Sequence, residues 1–136
     1  MNVGLLIITH NRVGAELLET ATTMLGRCPL NARLLAVTPA SEPEALQARA
    51  RALLAEVKGR DGAIVLTDMY GSTPANVAQR LQADHPGVEV ITGINLPMLV
   101  RLLNYPHLSR AQLVEKALSG GREGVFLCLC GEDRDS

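Results

Sequence analysis

An α/β protein built on an open, mainly parallel sheet with helices on both faces is the fold that the sequence predicts. Two observations carry this. Apolar runs at Val3–Thr9, Ala32–Thr38, Ala63–Asp68, Val88–Thr92 and Val125–Cys130 alternate with segments of helical period along the whole chain, as strand-helix-strand units require. Most of these runs are apolar at successive positions rather than at every second one, the pattern of strands buried on both faces. The 136 residues, 47% of them hydrophobic, suffice for one continuous core. A single domain over residues 1–130 is therefore expected, with 131–136 as a polar tail. No internal repeat, low-complexity segment or linker divides the chain.

The first helix is expected from about Arg12 to Leu25, with Val13, Leu17, Ala21, Met24 and Leu25 on one stripe and Gly26 and Pro29 to stop it. In the second, Ser41 and Glu44 have the spacing of a capping box, Leu46, Ala50, Leu53, Leu54 and Val57 make the buried face, and Gly59 is the stop. The third opens with Thr73 as N-cap and Pro74 at the first helical position, and it ends before His85, Pro86 and Gly87. A short pair follows. Its caps are Asn95 and Ser109, the latter completed by Gln112, and Gly120 with Gly121 closes the segment before the last strand.

Composition excludes several classes of function. The formal net charge is −1 and the charged residues are scattered singly, so no electrostatic footprint exists for nucleic acid or an anionic membrane. One Phe, two Tyr and no Trp leave little for base stacking or for a membrane interface belt. His10, Asn11 and Arg12 interrupt the first apolar run before it reaches the length of a signal-peptide core or a membrane span. A cytoplasmic location without membrane insertion is expected. Cys28, Cys128 and Cys130 match neither a disulfide framework nor a four-ligand zinc site, and neither a metal nor a cofactor is expected. Cys128 and Cys130 would share one face of the last strand as small buried hydrophobes, since a redox pair has two intervening residues.

In an open parallel sheet the ligand crevice lies beyond the carboxyl ends of the strands, where the strand order reverses. Two strand-to-helix junctions carry reactive residues: Thr9-His10-Asn11-Arg12 after the first strand, and Asp68-Met69-Tyr70-Gly71-Ser72-Thr73-Pro74 after the third. An order beginning 2-1-3 makes these loops neighbours and brings His10 and Asp68 within reach of each other. A histidine beside a carboxylate has its tautomer and orientation fixed, which leaves one ring nitrogen neutral, exposed and nucleophilic. The second loop offers what an anion needs: Gly71 for close backbone approach, the Ser72 and Thr73 hydroxyls, and free N–H groups at a helix N-terminus. A phosphoryl group fits that description. His10 and Asp68 are thus the candidate catalytic residues; Gly71, Ser72 and Thr73 are candidate phosphate ligands; Arg12, Tyr70 and Asn95 are candidate anion or partner contacts. Plainer readings stand beside these, with Asp68 as a turn former, Thr73-Pro74 and Asn95 as helix caps, and Arg12 as a solvated charge. His85 and His107 stand in turn contexts beside Pro86 and Pro106, and both are assigned to solvent.

Over nearly its whole length the sequence resembles the IIA components of the mannose family of the bacterial phosphoenolpyruvate-dependent sugar phosphotransferase system. The resemblance rests on Ile8-Thr9-His10, on Asp68 to Pro74, on Gly93-Ile94-Asn95-Leu96-Pro97-Met98-Leu99, and on Gly121-Arg122-Glu123-Gly124-Val125, in that order. It implies that His10 accepts a phosphoryl group from the histidine phosphocarrier protein and passes it to a IIB component, for sugar uptake or regulation. Asp68 matches the carboxylate that pairs with the active histidine. Thr73 takes the place of the Ser or Thr before Pro, Ser72 and Asn11 stand where Gly is common, and Tyr70 stands where some members have Trp. The resemblance also implies a sheet of order 2-1-3-4 and a homodimer in which Val125–Cys130 crosses to the partner's sheet as an antiparallel edge strand. With no IIB segment after that strand, a stand-alone IIA protein is expected. Two other readings stay open: the phosphotransfer subunit of phosphoenolpyruvate-dependent dihydroxyacetone kinase, and a non-enzymatic regulatory module switched by phosphorylation of His10.

Overall fold

The computed structural model describes residues 2–129. The elements follow in the order β1 (Gly4–His10), α1 (Val13–Leu25), β2 (Ala32–Val37), α2 (Pro43–Val57), β3 (Ala63–Thr67), α3 (Thr73–Asp84), β4 (Val88–Thr92), α4 (Leu96–Leu103) and α5 (Arg110–Glu123). The four strands form one parallel sheet of order β2-β1-β3-β4. Register places Ile8 opposite Thr67, Thr67 opposite Thr92, and His10 opposite Val37.

Successive side chains of a strand point to opposite faces, and β1 and β3 are apolar at almost every position because both faces are covered. Leu5, Ile7, Ile64, Leu66 and Ile91 pack with Ala21 of α1, with Leu99, Leu102 and Leu103 of α4, and with Leu113 and Ala117 of α5. Leu6, Ile8, Ala63, Val65 and Val88 pack on the other side with Leu46, Ala50, Leu53, Leu54 and Val57 of α2 and Val77, Ala78 and Leu81 of α3. By the same alternation His10 follows Leu6 and Ile8 onto the α2/α3 side. The outer strand β2 is partly exposed.

Several local expectations change at helix ends. Ser41 and Glu44 form no capping box: Glu42 is the N-cap and Pro43 opens α2, because Pro43 has a preset φ and no N–H to be capped. The Ser41 hydroxyl accepts instead from the Thr38 backbone N–H at 3.0 Å. In α3 the N-cap is Ser72, not Thr73, so Pro74 stands at the second helical position. Gly120 and Gly121 lie within α5 rather than ending it. They are contact points, since a Cβ at Gly120 would lie 2.8 Å from Arg101 Cβ and one at Gly121 would lie 2.8 Å from Met98 Cε. The expected stop at Gly26 is present in the left-handed conformation. Asn95 caps α4 through Met98 N–H, and Ser109 with Gln112 forms the expected capping box of α5.

The expected strand Val125–Cys130 is not found within the single chain: residues 125–129 belong to no helix or strand. A strand exists only by pairing, and Val125, Phe126 and Leu127 stand 76%, 74% and 85% exposed. Cys128 is exposed and not buried as expected, whereas Cys28 is half-buried; Cys130 and the tail 131–136 lie outside the described residues.

The amino ends of β3 and β4 are held together by Arg110, at the start of α5. Its backbone N–H donates to Asp61 Oδ2 at 2.7 Å, and its Nη1 donates to the carbonyls of Gly87 and Asp61 at 2.9 and 3.2 Å. Gly62 fits beneath with φ +76°, where a Cβ would lie 1.9 Å from Gly87 O. Arg110→Ala removes two of these bonds and is expected to lower the unfolding free energy by about 2 kcal/mol in urea titration.

Candidate functional site

The site lies at the carboxyl ends of β1 and β3. Strand pairing puts the residue after Thr67 beside the last residue of β1, and Asp68 Oδ2 accepts hydrogen bonds from both the His10 backbone N–H at 3.0 Å and the His10 ring Nδ1 at 2.9 Å. An ionised carboxylate can only accept, so Nδ1 carries the proton and Nε2 keeps its lone pair. The His10 side chain is 42% exposed and that of Asp68 16%, so the ring reaches solvent while its partner is largely covered.

Burial opposes ionisation of Asp68. The hydrogen bonds from the His10 ring, from the His10 backbone and from its own backbone amide, together with electrostatic attraction to the His10 ring, outweigh that burial and hold the carboxyl below its usual value. Asp68 therefore stays an anion beneath the ring.

The two nitrogens of an imidazole point to opposite sides of the ring. With Nδ1 held by Asp68, Nε2 has no hydrogen-bond partner among the described residues, and His10 lines a cleft of about 260 Å³ together with Asn11, Val37, Thr38, Pro39 and Thr73. Larger grooves lie elsewhere, about 370 Å³ beside Met24, Pro97 and Tyr105 and about 500 Å³ beside Arg12, Leu18 and Leu34, but neither is lined by a histidine or cysteine. Asn11 carries the chain out of β1 with φ +46°. Asparagine is one of the few residues other than glycine that tolerates this left-handed conformation, and its N–H donates to Val37 O at 2.8 Å.

The remaining sequence candidates fall into distinct places. Thr73 lines the cleft as the first residue of α3, where the N–H groups of a helix start are available to an anion. Gly71 and Ser72 do not line it. Gly71 holds φ +80°, which accounts for the glycine, and the Ser72 hydroxyl donates to Met69 O at 2.5 Å. Arg12 is exposed and paired with Glu16 at 2.9 Å. Tyr70 is 73% exposed, beside Met69 at 61%. Both polar atoms of the Asn95 side chain are engaged, Oδ1 with Met98 N–H and Nδ2 with Gly121 O. His85 is not left to solvent: its Nδ1 donates to Leu81 O at 2.9 Å at the end of α3. His107 is exposed.

Thr38 and Pro39 are cleft residues that sequence reasoning did not single out, and Asn11 was noted only for standing where Gly is common. The strand order holds the missing signal, because β2 lies on the side of β1 opposite to Asp68. Among the described residues, no group of three or more His, Cys, Asp or Glu could hold a metal ion, and no helix is long and apolar enough to cross a membrane.

Fold and site together are those of a doubly wound α/β domain with a histidine-carboxylate pair at its topological switch point. The family model described as PTS system fructose IIA component matches residues 4–118, and the chain belongs to this family of phosphotransferase-system IIA components. It is 35% identical over 127 residues, 92% of its length, to the mannose-specific EIIAB component of Escherichia coli K12. It spans 39% of that relative's length. The mannose/sorbose-specific IIA subunit from Enterococcus faecalis superposes with a TM-score of 0.84 at 25% identity, over 96% of this chain and 98% of that one. The IIA protein associated with the fucose utilization operon of Streptococcus pneumoniae gives 0.81 at 25% identity, over 93% of each chain.

The lowered pKa of Asp68 has a defined consequence for stability. A carboxyl whose folded value lies below its unfolded one contributes stability above the unfolded value, here 3.8, and loses it as pH falls through the folded value. The difference in unfolding free energy between wild type and Asp68→Asn, measured by urea titration at successive pH values, is expected to hold constant near neutrality and to shrink below about pH 4.

Proposed function

We propose that His10 carries a phosphoryl group on Nε2, received from a histidine phosphocarrier protein and passed to a IIB component for sugar uptake or regulation. The observation that carries this reading is the pairing of His10 Nδ1 with Asp68 at 2.9 Å, which leaves Nε2 unpaired on a residue that lines one cleft with Thr73, the first residue of α3. Family membership and the EIIAB name of the Escherichia coli relative support a IIB acceptor.

In the step proposed, the Nε2 lone pair of His10 forms a bond to phosphorus while the donor's nitrogen–phosphorus bond breaks and its electron pair returns to the donor ring. The His10 ring gains positive charge and Asp68 neutralises it. Thr73 and the N-terminal N–H groups of α3 receive the phosphoryl oxygens; Gly71 and Ser72 act by shaping the turn that leads there. No cofactor or metal enters this scheme. Most of the rate then comes from alignment of two rings and from neutralisation of the shared charge. Arg12 and Tyr70, exposed near His10 in sequence and loop position, belong to the surface a partner protein covers. On this reading the protein works in the cytoplasm.

The same reading includes a homodimer. Residues 125–129 present Val125, Phe126, Leu127 and Leu129 to solvent, and pairing with a second copy's sheet would cover them and a free edge together. Sedimentation equilibrium at micromolar concentration is expected to give twice the chain mass; a monomer would count against the crossing strand.

Mass spectrometry under neutral to basic conditions tests the central assignment. With phosphoenolpyruvate, enzyme I and the phosphocarrier, His10 is expected to gain an acid-labile, base-stable phosphoramidate, and neither His85 nor His107 should be labelled. His10→Ala should abolish labelling, whereas Asp68→Asn should slow it by roughly a hundredfold, since the amide still orients the ring but balances no charge. Label persisting in His10→Ala would refute the proposal.

A further inference from the structure

The turn that presents His10 is closed by a bond that does not involve the site's own charges. Between the end of β1 and the start of α1 the chain has only Asn11 and Arg12. Arg12 occupies the N-cap position of α1 with no side-chain cap bond, its guanidinium being turned to Glu16. The capping acceptor comes from the opposite direction. Thr9, 2% exposed, accepts the buried Gly14 N–H on its Oγ1 at 2.8 Å, so a residue of β1 caps the second helical residue of α1. That bond spans residues 10 to 13, and His10 lies inside the loop it closes.

The contact depends on how near the helix comes to the strand. A Cβ on Gly14 would lie 2.6 Å from Ile7 Cγ2 and 3.0 Å from Thr9 Oγ1, so glycine alone allows this approach. The backbone around His10 is then held on three sides. The Asn11 N–H is tied to β2 through Val37 O, the His10 N–H to Asp68 beyond β3, and the Gly14 N–H to Thr9. The first two bonds tie the turn to the neighbouring strands; the third is the one hydrogen bond among the described residues that joins α1 to β1 beneath it.

We infer that Thr9 is a positioning residue for His10: its hydroxyl, with Gly14, latches the turn so that the ring meets Asp68 through Nδ1 and the cleft through Nε2. The inference rests on the phosphoryl-transfer reading of His10. Thr9→Val keeps the shape of the side chain but leaves a buried N–H without an acceptor, which the turn can relieve only by shifting. In-line transfer between two rings tolerates such a shift poorly.

The experiment measures phosphoryl acceptance from the phosphocarrier by the full chain, at a temperature where circular dichroism shows each variant folded. Thr9→Val is expected to lower the rate at saturating carrier by roughly tenfold to a hundredfold, with the half-saturating carrier concentration unchanged, and Thr9→Ser should restore the rate. Gly14→Ala, which keeps the hydroxyl but pushes the helix away, should show the same loss and serves as the deciding variant if Thr9→Val does not fold. Ser109→Ala, which removes the cap of α5, should leave the rate unchanged and so separates positioning from loss of stability. A wild-type rate in folded Thr9→Val or Gly14→Ala, or a loss in Thr9→Val that Thr9→Ser does not restore, overturns the inference. Wild-type protein that takes no label on His10 instead overturns the reading beneath it.

Discussion

A single carboxylate oxygen accepting two hydrogen bonds from the same histidine is the interaction on which the site depends. Asp68 Oδ2 takes both the backbone N–H and the ring Nδ1 of a residue 58 positions earlier in the chain. The first bond locks the end of β1 to the end of β3; the second decides the tautomer. The pair can form only because β1 and β3 are neighbours with Ile8 opposite Thr67. A register shift of one residue would turn His10 to the other face and bury it against α1.

That register is held by burial. β1 and β3 sit at the centre of the sheet and each position alternates between two helix layers, so slippage would send large apolar side chains into the wrong layer. The polar His10–Asp68 pair is thereby confined to the rim. The fully buried Leu5, Leu6, Ile7 and Ile8 lead into a half-exposed histidine with no change of strand geometry. Strand order then sets His10 between two neighbours: Asp68, just after β3, holds Nδ1, and Val37 of β2 with Thr38 and Pro39 beyond it lines the cleft beside His10.

Much of this was legible in the sequence because burial on both faces leaves continuous apolar runs, and because the ligand crevice of such a sheet has a predictable place. The first four strands fall within a residue or so of their expected bounds, and His10 and Asp68 meet as the 2-1-3 order requires. Helix ends were harder to read. Ser41 and Glu44 have the spacing of a capping box, but Pro43 between them removes the need for it. Gly120 and Gly121 read as a stop, although their function is to let α5 approach α4. Thr38 was invisible because nothing local marks it; only the fold brings it to the other side of the ring. Val125–Cys130 carried a strand's composition, but a strand also needs a partner, and residues 125–129 find none within one chain.

The tautomer of His10 tests the account most directly, because the free Nε2, the role of Asp68 and the use of the cleft all follow from it. Nitrogen-15 spectra of the His10 ring, recorded where the imidazole is neutral, read the protonation of each nitrogen separately. The account predicts a protonated Nδ1 and a bare Nε2 in wild type, with that preference weakened in Asp68→Asn. A wild-type ring protonated on Nε2 with Nδ1 bare would contradict it.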